Sequence, residues 1–209
     1  STLDRSSAAS DVYKRQGFAY GRLNDYYFQT SNMTFPNATT DHSWYDLFAG
    51  SLSIERNSLD YKQYPISGRK QFLVAQYVTG TEKYMPSPIT DMGSFDRKVH
   101  SWLQMKGEWE QYKTISPYFN LGFMSELVLS SKNLMNNYTA SVLQAPAFTP
   151  TPHSQIVFNE AFRANQYVAF GLSPILKFSK LLHFRLDMYG FAPLYEIKKE
   201  EVWNNNTYT

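Results

Sequence analysis

Residues 117–131, PYFNLGFMSELVLSS, change polarity at nearly every step. Phe119, Leu121, Phe123, Leu127 and Leu129 share one side of an extended chain, and Asn120, Gly122, Glu126 and Ser130 share the other. A period of two puts successive side chains on opposite faces of a β-strand, so this alternation marks a strand with two unlike faces. It recurs along the chain. Leu103, Met105 and Trp109 oppose Gln104, Lys106, Glu108 and Glu110, while Leu182, Phe184, Leu186 and Met188 oppose His183, Arg185, Asp187 and Tyr189. Val168, Phe170, Leu172, Leu176 and Phe178 oppose Ala169, Gly171, Ser173 and Lys177. Residues 46–56 repeat the pattern more weakly, and 70–78 (KQFLVAQYV) are apolar on both sides.

The alternation predicts eight strands, at 17–29, 44–56, 67–84, 98–112, 117–131, 166–178, 182–192 and 201–209. The connectors between them run long, moderate, long, short, very long, short and moderate. Long ones alternate with shorter ones, which gathers the long loops at one end of the strands. Long loops at one rim and short turns at the other describe an outer-membrane barrel, and these strands exceed the 9–11 residues or so that a tilted spanning strand needs.

Composition agrees with a two-faced β protein. Mean hydropathy is −0.45, yet Phe, Tyr and Trp make up 17% of the chain while charged residues reach only 18%, below the usual share of about 25%. A net charge of +2 supplies no field for nucleic acid. With no cysteine there is no disulfide scaffold, thiolate metal site or cysteine nucleophile. No stretch approaches about 18 consecutive apolar residues, the length of a spanning helix.

The polar faces sharpen the expectation. Gln104, Lys106, Glu108, Glu110, Glu126, Arg185 and Asp187 lie mid-strand, where a sandwich core would leave charges unpaired at high cost. A barrel lumen would take them, and Phe119, Leu121, Phe123, Leu127, Leu129, Leu182, Phe184, Leu186 and Met188 would face lipid. A soluble antiparallel sheet with its charged side in water is the competing reading. Tyr26, Tyr27, Trp44, Tyr45, Tyr84, Trp102, Trp109, Tyr112 and Tyr118 lie near strand ends and would suit aromatic girdles. On this assignment, charge reversal at Glu126 should disturb the barrel less than arginine at Leu127.

Residues 55–68, ERNSLDYKQYPISG, read as a constrained strand-to-strand turn. Pro65 fixes its own φ, Gly68 supplies a permissive backbone, and Asn57 and Asp60 can bind nearby amides. The segment resembles the bacterial surface-antigen barrel pattern of the BamA-like superfamily. There, R-(N/D)-x-L-(D/N) leads into (F/Y)-P-x-x-G at a periplasmic turn, and Arg56, Asn57, Leu59, Asp60, Tyr64, Pro65 and Gly68 match it. The superfamily then carries an aromatic-Glu motif and an Arg-Gly motif in a long loop. Phe158, Glu160 and Phe162 are similar to the first, and Asn165 lies in the same segment. Arg163 departs from the second, because Ala164 follows it.

Within that superfamily, QYP-x-SG, FNEAFRANQY and LSPILKF most resemble the C-terminal barrel of Bacteroidetes patatin-like phospholipases. The resemblance covers residues 17–209 and implies an all-β, antiparallel transmembrane β-barrel in the bacterial outer membrane. This chain would supply about eight long meander strands of a roughly 16-stranded barrel. Its partners would be outer-membrane lipid and an N-terminal patatin-like lipid acyl hydrolase domain of the same polypeptide. Residues 1–16 lack a period, and SSAASDVYKRQ resembles adapter read-through, so they are expected to be non-native. Ser1 opens the chain and WNNNTYT closes it inside an expected strand, so a fragment is expected. An isolated eight-stranded barrel is the alternative architecture.

No catalytic motif accompanies this. GSLSI at Gly50 lacks the second glycine of G-x-S-x-G, so serine hydrolysis is not assigned to these residues. His42, His100, His153 and His183 have no zinc spacing, Asp91 and Asp96 do not make a calcium loop, and no nucleotide-binding glycine motif occurs. The N-x-T sequons at Asn32, Asn37, Asn137 and Asn205 matter only in a eukaryotic secretory context. Neither metal nor cofactor is expected. Three functions follow: the membrane anchor of a patatin-like hydrolase, a barrel of a BamA-like transport or assembly protein or porin, or a soluble β-sheet binding module.

Overall fold

The computed structural model describes residues 12–27, 40–86, 96–132, 138–179, 182–195 and 197. The architecture is all-β. Strands β1 (Val12–Tyr27), β2 (Asp41–Asn57), β3 (Gly68–Met85), β4 (Asp96–Ser116), β5 (Phe119–Ser130) and β6 (Gln166–Lys177) pair in chain order as an antiparallel meander. Two further strands, β7 (His183–Arg185) and β8 (Met188–Tyr195), both pair with β6. A short helix α1 (Tyr138–Leu143) and a 3₁₀ turn at Glu160–Phe162 lie in the β5–β6 connector. Among the described residues β1 and β8 each keep an unpaired edge, so the sheet is open.

Two expectations about strand limits change. Val12–Gln16, set aside above as non-native, form the first part of β1 and pair with Leu52–Arg56. The overhanging end of β2 offers them a ladder, and main-chain pairing asks little of side-chain identity. The strand expected over 182–192 is broken in two. The Pro174 carbonyl accepts from Leu186 N at 3.1 Å, so the proline ring nitrogen faces the same neighbour and has no hydrogen to give. The ladder lapses there, between β7 and β8. The expected strand at 201–209 lies outside the described residues, as do residues 1–11, Asp91 and the asparagines of all four sequons.

Cross-strand register separates the two faces cleanly. Glu108 sits opposite Phe72 and Glu126, and Lys106 opposite Val74 and Val128, so they share one face. On the other face Leu73 aligns with Ile54 and Gly107, and Leu127 with Gly107 and Val168. The apolar face is bare: Phe18 is 90% exposed, Leu52 64%, Phe184 56% and Phe170 50%. The charged face is covered, with Glu82 fully buried and Glu126 only 4% exposed. We call these the outer and inner faces. The inner face also carries apolar patches, Tyr45 with Val78 and Trp102, and Met124 with Val128, Tyr167 and Ala169. The 70–78 stretch resolves accordingly, with Phe72, Val74 and Val78 inward and Leu73, Ala75 and Tyr77 outward.

The aromatic girdle is corrected in part. Tyr45, Tyr84, Trp102 and Tyr112 are buried on the inner face. There the Tyr45 and Tyr84 hydroxyls donate to Glu82 and Asp41 at 3.1 and 2.7 Å. A phenol needs a partner when buried, and the inner carboxylates provide it.

Candidate functional site

The β2–β3 turn is held by its own short side chains. Asp60 Oδ1 accepts from the amides of Tyr61, Ile66 and Ser67 at 3.0, 3.0 and 3.2 Å, and Asn57 Oδ1 accepts from Leu59 N at 3.0 Å. Ser58 N donates to the Arg69 carbonyl at 2.8 Å and closes the turn. Gly68 has φ +102°, and a Cβ there would lie 2.1 Å from the Ser58 carbonyl oxygen, so only glycine fits. Tyr64 carries a positive φ of 54° directly before Pro65, a position that proline biases toward extended backbone. The turn therefore holds a strained residue, and its surroundings explain why.

The turn docks onto the inner face. Asn120 Nδ2 on β5 donates to the Ile66 carbonyl, and Arg185 Nη1 on β7 donates to the Pro65 carbonyl, both at 2.7 Å. Arg185 also gives Nε to Asp187 Oδ1 at 2.7 Å and Nη2 to the Tyr112 hydroxyl at 3.1 Å. Its guanidinium lies 5.7 Å from the Tyr64 ring and 5.2 Å from the Tyr112 ring. Arg185 reaches β4 because Gly122 leaves room between: a Cβ there would meet the Tyr112 ring at 2.3 Å. Ser173 on β6 completes the group, its hydroxyl 2.5 Å from Asp187 Oδ1.

Beside it runs a ladder of opposite charges. Lys70 Nζ on β3 lies 2.6 Å from Glu108 and 3.8 Å from Glu110 on β4. Lys106 Nζ lies 3.0 Å from Glu126 on β5, and the Tyr167 hydroxyl on β6 donates to the same carboxylate oxygen at 2.5 Å. Within this ladder each charge has a counter-ion within 4 Å, as low-dielectric surroundings require. Charge reversal at Glu126 would therefore set a lysine beside Lys106, a harsher change than the sequence alone suggested. Further along the inner face His100 Nε2 and Glu82 Oε2 are 2.7 Å apart, both buried.

The β5–β6 connector folds over the inner face. Phe148 is 3% exposed and packs with Met124, Val128 and Tyr167, its ring 6.0 Å from that of Phe191. Arg163 does not reach the sheet. Its Nη1 donates to the Leu143 and Ala145 carbonyls at 2.8 and 3.1 Å, and its guanidinium lies 4.7 Å from the Phe158 ring. It staples the connector, while Arg185 makes the arginine contacts across the sheet. Phe158, Glu160 and Phe162 are exposed, and Asn165 is buried. Beyond β5, the Lys132 ammonium donates to the Gln144 carbonyl at 3.1 Å and sits 5.1 Å from the Trp102 ring. Burial pushes its pKa down to about 8, with the Glu82 charge partly opposing.

The structure thus brings together Tyr64, Pro65, Arg185 and Asp187 at the turn, and Lys106, Glu108, Glu110 and Glu126 in the ladder. Gln104 shares that face, opposite Gln76 and Ser130. Sequence reasoning missed Lys70 and Tyr167, put Tyr112 in an aromatic girdle, and placed Ser173 on the polar face without a partner. Lys70 keeps phase with Phe72 and Val74, but that strand's apolar residues on both faces hid the phase. Among the described residues no group of three or more His, Asp or Glu side chains could hold a metal ion. The arrangement neutralises charge and braces strands. Compared with family models, curated proteins and solved structures, the chain gives no match.

Proposed function

We propose that this chain is wall and anchor: part of a β-barrel in the bacterial outer membrane, outer face against hydrocarbon and inner face enclosed. One observation carries the reading. A single-layered sheet leaves its apolar face bare and covers its charged one, the reverse of a sheet stable in water. An apolar surface running across every long strand far exceeds the patch of a few hundred Å² usual on soluble monomers. Phe119 to Leu129 on β5 spans about 34 Å at roughly 3.4 Å per residue, and strand tilt would bring it near the apolar band of about 25 Å in such barrels.

The resemblance to patatin-like phospholipase barrels supplies the rest of the proposal: the barrel holds a lipid acyl hydrolase domain of the same polypeptide near its lipid substrate. The paired charges and docked connector support an anchor over an open channel, since a conduit needs free polar groups along a clear path. The test is refolding of the full chain into phosphatidylcholine vesicles, with brominated acyl chains as quenchers of tryptophan. Strong quenching and heat-modifiable gel migration are expected. A chain that stays monomeric and unquenched in the aqueous phase would overturn the membrane reading. A parent coding sequence without a G-x-S-x-G segment would overturn the hydrolase part alone.

A further inference from the structure

We infer that the turn-end rim of the outer face is a binding surface for the phosphate head groups of anionic phospholipids. This rests on the membrane reading above and names the lipid partner of that surface. Four outward positions at this rim are cationic: Lys14 on β1, Arg56 on β2, Arg69 on β3 and Lys113 on β4. Register places them on a staircase. Lys14 aligns with Ile54, Arg56 with Gln71, Arg69 with Gln111 and Lys113 with Leu121, so each cation lies one outward position further toward the turns than the last. The strand ends step the same way, from the Arg56 row at Val12 to the Phe119 row at Ser116. In a barrel, strands tilt by about 35–45°, and that tilt levels the staircase into one arc along the rim.

The arc borders the apolar band directly. Lys14 shares its row with Ile54 and Leu73, Arg56 with Trp109, and Lys113 with Leu121. A phospholipid has this same order, acyl chain beside anionic phosphate. Among the described residues of β1–β5, no outward carboxylate lies at this rim. The two arginines also line a cleft of about 290 Å³ with Ser58, Gly68, Gln111 and Tyr112. Guanidinium groups there can take phosphate oxygens in pairs, with the Gln111 amide as a neutral donor. Cations beside an anionic leaflet each add attraction that salt screens.

The experiment uses the full chain in phosphatidylcholine vesicles containing a minor share of phosphatidylglycerol, with bromine on the chains of one lipid at a time. Trp109 shares the Arg56 row, and the difference between the intact chain and W109F isolates its signal. Quenching by brominated phosphatidylcholine reports insertion; its absence overturns the membrane reading and this inference with it. Given insertion, quenching of Trp109 by the phosphatidylglycerol should exceed its bulk share by about threefold and fall with salt. The R56Q/R69Q variant should insert normally and lose that excess, and R56K/R69K should keep part of it. No excess in the inserted chain, an excess that survives R56Q/R69Q, or equal loss from K83Q/R97Q at the far rim would each overturn the inference. Loss of the excess to inorganic phosphate but not to chloride at equal ionic strength would also overturn it, by showing a site for the free ion and not the lipid.

Discussion

Arg185 Nη1 donates to the Pro65 carbonyl at 2.7 Å across 120 residues of chain. That bond ties the β2–β3 turn to β7, at the far side of the sheet, and brings the guanidinium over the Tyr64 ring. R185M would leave the Asp187 carboxylate without its ion pair and the Pro65 carbonyl without this donor. Losing a partly buried, multiply bonded charge is expected to lower unfolding stability by about 3 kcal/mol. Lysine should recover only part, because its single nitrogen cannot span the acceptors that the guanidinium reaches from Nε, Nη1 and Nη2. Guanidinium unfolding of the refolded chain measures both.

Gly68→Ala is expected to be among the most damaging changes in the turn. It forces φ +102° on an L residue and sets a Cβ 2.1 Å from the Ser58 carbonyl oxygen. Strain of this kind amounts to about 1–3 kcal/mol before the clash. Asp60→Ala, which removes an acceptor shared by three amides, should cost about 1–3 kcal/mol. Unfolding midpoints compared with the intact chain decide it.

Neighbours 126 and 127 give a paired comparison of the two faces. E126K sets two lysines together where Lys106 now meets a carboxylate at 3.0 Å, with an expected loss of about 3–5 kcal/mol whatever the solvent outside. L127R should lose about 2–4 kcal/mol if its face meets mid-bilayer hydrocarbon. It should lose almost nothing if that face meets water, where leucine is already 43% exposed. Folding free energies in vesicles separate these outcomes.

Lys132 gives a pH dependence with a definite sign. Burial holds its pKa at about 8 in the folded chain, against about 10.4 when unfolded. Between those values the unfolded chain binds more protons, so stability rises with pH across that window. Below about pH 8 both states are charged and the penalty of the buried ammonium is fully present. K132M should flatten the rise, measured as the unfolding midpoint at pH 7.5, 9 and 10.5.

Much of the sheet was legible because alternation is a local signal. Leu127 and Glu126 part company by geometry alone, whatever the rest of the chain does. The strands around 44–56, 67–84, 117–131 and 166–178 lie within a few residues of their observed limits for that reason. The split between β7 and β8 was less legible, since it depends on which side of β6 the missing Pro174 hydrogen faces. Tyr45, Tyr84, Trp102 and Tyr112 misled because an aromatic near a strand end suits an interface and a covered inner face equally well.

The sequence alone determined the strands and the two unlike faces, because a period of two leaves each side chain one face to occupy. It also determined the turn at 57–68, where Asn57, Asp60 and Gly68 act within a dozen residues of each other. Only the tertiary structure decided which polar groups meet: Lys70 with Glu108, Lys106 with Glu126, Arg185 with Pro65. Such contacts depend on register summed across several strands and on where the connector lands, and no short-range pattern encodes either. A charged face is written residue by residue; its pairing exists only once the strands stand side by side.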